Sequence, residues 1–323
     1  MNPFRLSIVA LALLAAAFAA PALPADTARP VRVIVPFLGG GLPDGVARII
    51  AAKLNGHTGR PFVVENRPGD DGHFGAELVS KSEPDGYTLL FAPITNYAAA
   101  VSLYAVRHYD LDADFAPVTL IANAPHVLAV HPSLPAKTVG ELIAVARSRP
   151  GQLRWASHGR TSLSRLEFEM FRGLTGVKAK SVPYANSADA LPDLLSGNVD
   201  LLFDSIVSAL PHIQSGRLRG IAVAGARRSP ALARLPTVAE AGVKGFEADY
   251  WYGILAPDGV GKSVVERLQR DLAAATSAAD VKNGLLRYGI EPHSGPPGEL
   301  VKVMRGETAK WGKVIRNAGI EPE

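Results

Sequence analysis

Apolar residues in this chain fall into two patterns. The first is a continuous block rich in Val, Ile, Leu and Phe, as in residues 31–37 (VRVIVPF), 62–65 (FVVE), 87–92 (YTLLFA), 153–157, 179–184, 200–204 and 219–224. Short unbroken blocks of this kind are what strands covered on both faces require. The second recurs every three or four residues: Val46, Ile49, Ile50 and Leu54 draw a helical stripe that starts after Asp44, which is read as the N-cap. Further helices are predicted over 73–82, 138–149, from Ser164, from Ser187, and over 208–215, 263–276 and 300–318. Thr138 with Glu141, and Ser164 with Glu167, have the spacing of capping boxes. Strand and helix alternate, which predicts parallel sheets with crossover helices.

That alternation occurs twice. Between the two series lies an extended stretch, residues 117–132 (PVTLIANAPHVLAVHP), broken at Asn123-Ala124-Pro125 and long enough to leave one sheet and enter another. A second extended stretch, 250–256 (YWYGILA), carries the chain back. The expectation is an α/β fold of two domains, residues 26–124 with 252–323 and residues 125–251, joined by two crossing strands with a ligand cleft between them. Clefts of this kind close like a hinge on a small molecule.

Gly39, Gly40 and Gly41 follow the first strand and precede the first helix. Without Cβ atoms the backbone turns sharply and its amides lie open, and a helix N-terminus attracts anions. This loop is therefore expected to take a carboxylate or phosphate. The polar loop at 158–164 and the loop at Thr95 and Asn96 would face it from the ends of other strands. Asp204 points at the same cleft, where it orients an amide or water, binds a cationic group, or caps the next helix through Ser205.

Composition adds an address. Arg5 precedes an apolar run over 6–20 and small-residue sites around Ala19 and Ala22, so residues 1–25 read as a cleaved export signal. There is no cysteine, hence no disulfide and no thiol for lipidation. Of 34 basic residues the signal removes one, Arg5, leaving 33 against 30 acidic residues and a scattered net charge of +3, which gives nucleic acid no footing.

Other chemistry is excluded on spacing. A dinucleotide fingerprint starting at Gly39 needs glycine where Asp44 stands. A calcium loop starting at Asp110 needs glycine where Phe115 stands and a glutamate where Ile121 stands. A nucleophile elbow at Ser157 lacks its first glycine. His126 and His131 are read as structural, and Tyr250, Trp251 and Tyr252 as core in preference to the alternative of lining the pocket. No assembled nucleophile, base and orienter is found, so no enzyme, cofactor or metal site is expected.

Taken together, VRVIVPF with its glycines, VVENRPG, PDGYTLL, DFAPVTLIA, HPSLPAKTVGELIA, DLLSGNVDLLFD, RSPALARLPTVAEAG and WYGILAP resemble the periplasmic substrate-binding proteins of tripartite tricarboxylate transporters, the Bug-type receptors. The resemblance spans essentially all of residues 26–323. It implies a type II periplasmic-binding-protein fold, capture of a small carboxylate as a monomer, and delivery to inner-membrane permease subunits, without catalysis. Two other readings stand beside it: a periplasmic sensor acting on a membrane histidine kinase, and an α/β enzyme. The resemblance places ligand contacts at residues 38–44 and 157–165; with the neighbouring loops the expected site is Phe37, Gly40, Gly41, Leu42, Asp44, Thr95, Asn96, Ser157, Arg160, Ser162, Arg165 and Asp204. The chain departs from the family pattern where Pro43 replaces a hydroxyl residue and where Arg160 and Arg165 enter the second loop. Those arginines are expected to supply charge-assisted hydrogen bonds.

Overall fold

The computed structural model describes residues 29–158 and 162–322. The expected export signal, residues 1–25, and Arg160 lie outside the described residues. Strand β1 (Val31–Val35) runs into the glycine bend and helix α1 (Leu42–Thr58); β2 (Phe62–Asn66), α2 (His73–Ser80), β3 (Thr88–Pro93), α3 (Ile94–Leu103) and β4 (Phe115–Asn123) follow. The second series is β5 (His126–Val130), α4 (Val139–Ser148), β6 (Arg154–His158), α5 (Leu163–Thr175), β7 (Lys180–Tyr184), α6 (Ser187–Leu195), β8 (Leu201–Ser205), α7 (Ile206–Gln214) and β9 (Arg219–Val223). The chain closes with β10 (Trp251–Pro257), α8 (Lys262–Ser277), α9 (Ala279–Leu286), β11 (Glu291–Pro292) and α10 (Pro297–Asn317).

Two sheets result, one of six strands in the order β11-β4-β10-β3-β1-β2 and one of five in the order β7-β6-β8-β5-β9. The neighbours β1, β2 and β3 are parallel, as are β6, β7 and β8. The strands next to the crossings break the expected all-parallel pattern. Both sheets are mixed, because β10 is antiparallel to β3 and β4, and β5 is antiparallel to β8 and β9. A strand that arrives directly from the other sheet has no crossover helix to reverse it, so it enters against the grain.

The crossings are tied side by side. The Ala124 amide donates to the Tyr250 carbonyl (2.9 Å), the Tyr250 amide to Asn123 Oδ1 (3.0 Å), and Asn123 Nδ2 to Asp249 Oδ1 (2.6 Å). At Gly225 a Cβ would stand 2.6 Å from Asp249 Oδ1 and 3.3 Å from Pro125, so only glycine lets these segments approach. One apolar cluster joins the second sheet to both flanks: Leu128, Trp155, Phe168, Phe171 and Phe203 pack with Leu103 of α3 and Trp311 and Ile315 of α10.

The apolar pattern predicts neither α3 nor α9. The run ITNYAAAVSL of α3 is buried almost all round, so it shows no polar stripe from which a helix could be read.

Candidate functional site

At the bend, Gly40 adopts φ +84°, a left-handed conformation that glycine takes without strain. Its amide donates to Asp44 Oδ2 (2.9 Å), and Asp44 also pairs with Arg48 Nε (2.9 Å). Arg48 continues to Asn66 Oδ1 (3.1 Å), and Asn66 Nδ2 donates to the Phe37 carbonyl (3.1 Å). Asp44 is therefore not the N-cap. Gly41 holds that position without a side-chain cap, and Asp44 sits in the first turn, its carboxyl held below the usual range by Arg48, against burial, and by the Gly40 amide. One amide of the expected anion trap is thus occupied by the protein's own carboxylate. Gly41 and Leu42 remain at the open helix end, where amides have no intrahelical acceptor, and Pro43 contributes none.

These residues form one wall of a cleft of about 690 Å³. Phe37, Gly41 and Leu42 line it from the first sheet's side, with Gly69, Gly72 and Asn96. Opposite stand Ser162 at the start of α5, Asn186 and Ser187 at the start of α6, and Asp204, Ser205 and Ser208 at the start of α7. The crossing residues Ala124, His126, Tyr250 and Tyr252 also line it. Three of the opposing residues are side-chain N-caps: Ser162 accepts from the Arg165 amide, Asn186 from Asp189, and Ser205 from Ser208. Helices α1, α5, α6 and α7 therefore direct their N-termini at one space. Among the described residues, the charged side chains lining it are Asp71, Asp204 and, when protonated, His126; no lysine or arginine does so.

Of the expected site residues, Phe37, Gly41, Leu42, Asn96, Ser162 and Asp204 come together here. Gly40, exposed on the bend, and the buried Asp44 do not line the cleft. Thr95 is fully buried and braces the return crossing, donating to the Asp249 carbonyl (3.1 Å) and accepting from the Trp251 amide (2.9 Å). Ser157 and Arg165 line a separate hollow of about 450 Å³ with Trp155, Glu169, Arg172 and Ser181. Helical periodicity explains the difference. Arg165, Glu169 and Arg172 share the outer face of α5, whereas Leu163, Leu166, Glu167 and Met170 share the buried one.

The expected capping box at Ser164 and Glu167 fails for the same reason: the helix starts at Leu163 with Ser162 as its N-cap, and Glu167 is inside the protein, fully buried. Its Oε2 meets His126 Nδ1 at 2.8 Å, while its Oε1 is buried without a partner among the described residues. The His126 ring stacks on Tyr250, with centroids 5.7 Å apart and planes inclined by 15°. Burial lowers the imidazole's affinity for a proton, but Glu167 and Asp204 outweigh it, so His126 titrates above its ordinary value. Burial raises the carboxyls of Glu167 and Asp204 as well. Asp204 accepts from Ser187 Oγ (2.8 Å to each oxygen) and from the Ser205 amide (2.8 Å), which makes it an anchor of two helix starts. Burial pushes the Tyr250 hydroxyl up to about 12, so it stays protonated.

His126 and Ser187 line the cleft although the sequence pattern does not single them out, and Tyr250 takes the pocket-lining alternative to a core position. The available signal was Glu167 itself: an acid on the apolar stripe of an amphipathic helix must have a buried partner. The aspartates at 110–114 form a turn of their own, Asp110 accepting from the Asp112 and Ala113 amides.

Comparisons agree with this architecture. The solved structure of R. palustris Rpa4515 with adipate superposes with a TM-score of 0.81 at 39% identity, covering 91% of this chain and 99% of that one. MatC (Rpa3494) from Rhodopseudomonas palustris with bound malate gives 0.75 at 32%, covering 89% and 99%. Among curated proteins, BugT of Bordetella pertussis is 34% identical over 99% of both chains. A protein from the tcbD-tcbE intergenic region of Pseudomonas sp. (strain P51) is 37% identical over 95% of this chain and 91% of its own length. Residues 46–320 match the model of the tripartite tricarboxylate transporter family receptor, and the chain belongs to that family.

Proposed function

We propose that this receptor binds a small carboxylate in the cleft between its two sheets and hands it to the permease subunits of a tripartite transporter. The observation that carries the reading is the convergence of four helix N-termini, α1 from one wall and α5, α6 and α7 from the other, on a space that holds no lysine or arginine among the described residues. Each helix end contributes roughly 0.3–2 kcal/mol to an anion. A micromolar ligand needs about 8 kcal/mol. No single helix end suffices, so both walls must contact the ligand at once, and this requires closure about the tied crossings. The units that close are residues 26–124 with 252–323, and residues 125–251. Relatives solved with adipate and malate support the ligand class.

In this reading the protein is exported, loses residues 1–25 and works as a periplasmic monomer. Fluorimetric melting of the purified mature protein against aliphatic dicarboxylates, aromatic acids, amino acids and neutral sugars tests it. Acids should raise Tm and sugars should not; a shift with sugars alone defeats the anion reading.

A further inference from the structure

His126 begins the first crossing strand's continuation into the second sheet, in an otherwise apolar segment. One ring nitrogen, Nδ1, is committed to Glu167 at 2.8 Å, and Glu167 is sealed from solvent. The ring nevertheless lines the cleft, and Nε2, on the far side of the ring from Nδ1, has no partner among the described residues. From these positions we infer that His126, positioned by Glu167, is a specificity-determining donor: its Nε2–H meets a carboxylate of the ligand, and binding is coupled to the protonation of the His126–Glu167 pair. This inference rests on the carboxylate reading above.

With one proton on the pair, Nδ1–H donates to an ionised Glu167, and Nε2 carries a lone pair that repels a carboxylate. With two, Nε2 carries a hydrogen and becomes a donor, whether the inner proton rides on Nδ1 or on Glu167. The buried Glu167 Oε1, without a partner among the described residues, favours the second state, since an orphaned oxygen costs less on a neutral carboxyl than on a carboxylate. The groups that bear on the pair are Glu167 from α5, Asp204 from β8, Tyr250 from the return crossing and, acting on Glu167, Lys310 from α10. Asp204 and Glu167 outweigh burial and hold the second proton on His126, so the donor state extends upward in pH.

Calorimetry with adipate and malate between pH 6.5 and 8.5, where the ligand carboxylates stay ionised, tests the inference on the full mature protein. Wild-type affinity should fall with rising pH, approaching tenfold per unit above the pair's apparent pKa, and binding should take up protons from buffer. In His126→Gln the affinity at pH 6.5 should drop at least tenfold and its pH dependence should flatten. Glu167→Gln removes the charge that offsets burial of His126, so the fall should move to lower pH and affinity at pH 6.5 should already lie below wild type. Equal affinities and equal pH slopes in the three proteins overturn the inference and leave the carboxylate reading intact. Failure of wild type to bind any acid in the wider panel overturns both. Should His126→Gln not fold, the imidazole nitrogen shifts of wild type decide: adipate must perturb Nε2 of His126, and an unmoved resonance counts against the contact.

Discussion

The two walls of the cleft are built from different materials. The first wall is backbone: a glycine bend, an open helix end, and a network of Asp44, Arg48 and Asn66 that braces it from behind. The second is side chain: hydroxyl and amide N-caps at three helix starts, with Asp204 and the His126–Glu167 pair beneath them. A backbone wall offers the same donors whatever residues decorate it, and so suits recognition of a charge class. A side-chain wall changes with each substitution and suits discrimination within that class. The two also differ in ionisation: the acid of the first wall is held ionised by an arginine, whereas those of the second are pushed toward the neutral form by burial.

Substitutions separate the walls by size of effect. The largest loss is expected for Glu167→Ala, which leaves His126 without its buried partner; breaking a buried pair costs about 3–5 kcal/mol, readable as a lower urea midpoint. Asp204→Ala deprives Ser187 and the Ser205 amide of their acceptor and should cost about 1–3 kcal/mol. Asp44→Ala frees an exposed Gly40 amide to water and should cost only about 0.5–1.5 kcal/mol. If Asp44→Ala proves the most damaging of the three, the contrast between the walls is wrong.

Acid and base should loosen opposite walls. Asp44 titrates below its unfolded value, so its stabilisation is in place above about pH 4 and disappears as pH falls through the lower folded value. His126 titrates above its unfolded value, so its stabilisation is complete below about pH 6.5 and is lost as pH rises through the folded value; the raised carboxyls of Glu167 and Asp204 act in the same direction. Tm measured from pH 3 to 9 should lose part of its acid limb in Asp44→Asn and part of its alkaline limb in His126→Gln. The smallest effect belongs to Arg165→Ala. Lining the separate hollow, Arg165 should leave ligand affinity within about twofold of wild type; a tenfold loss would return it to the cleft.

The bend, its helix, the alternation of elements and the two crossings at residues 123–125 and 250–256 were legible in the chain, because burial on both faces writes continuous apolar runs and helices write stripes. The Thr138 cap was equally local, with Thr138 accepting from the Glu141 amide. Helix α3 was not legible, being enclosed on all sides, and neither was the reversed direction of β5 and β10, which depends on which sheet a strand joins.

Sequence alone therefore determined the class of fold, the backbone wall and the family, all of which rest on contacts within a few residues or on long collinear similarity. Tertiary structure alone decided which polar side chains meet. It turned Arg165 and Ser157 to another face, spent Thr95 on bracing a crossing, placed Asp44 against Gly40, and joined His126 to an acid forty-one residues away. A side chain's direction follows from the packing of the whole element, and a one-residue change of phase on a helix carries it from solvent to core.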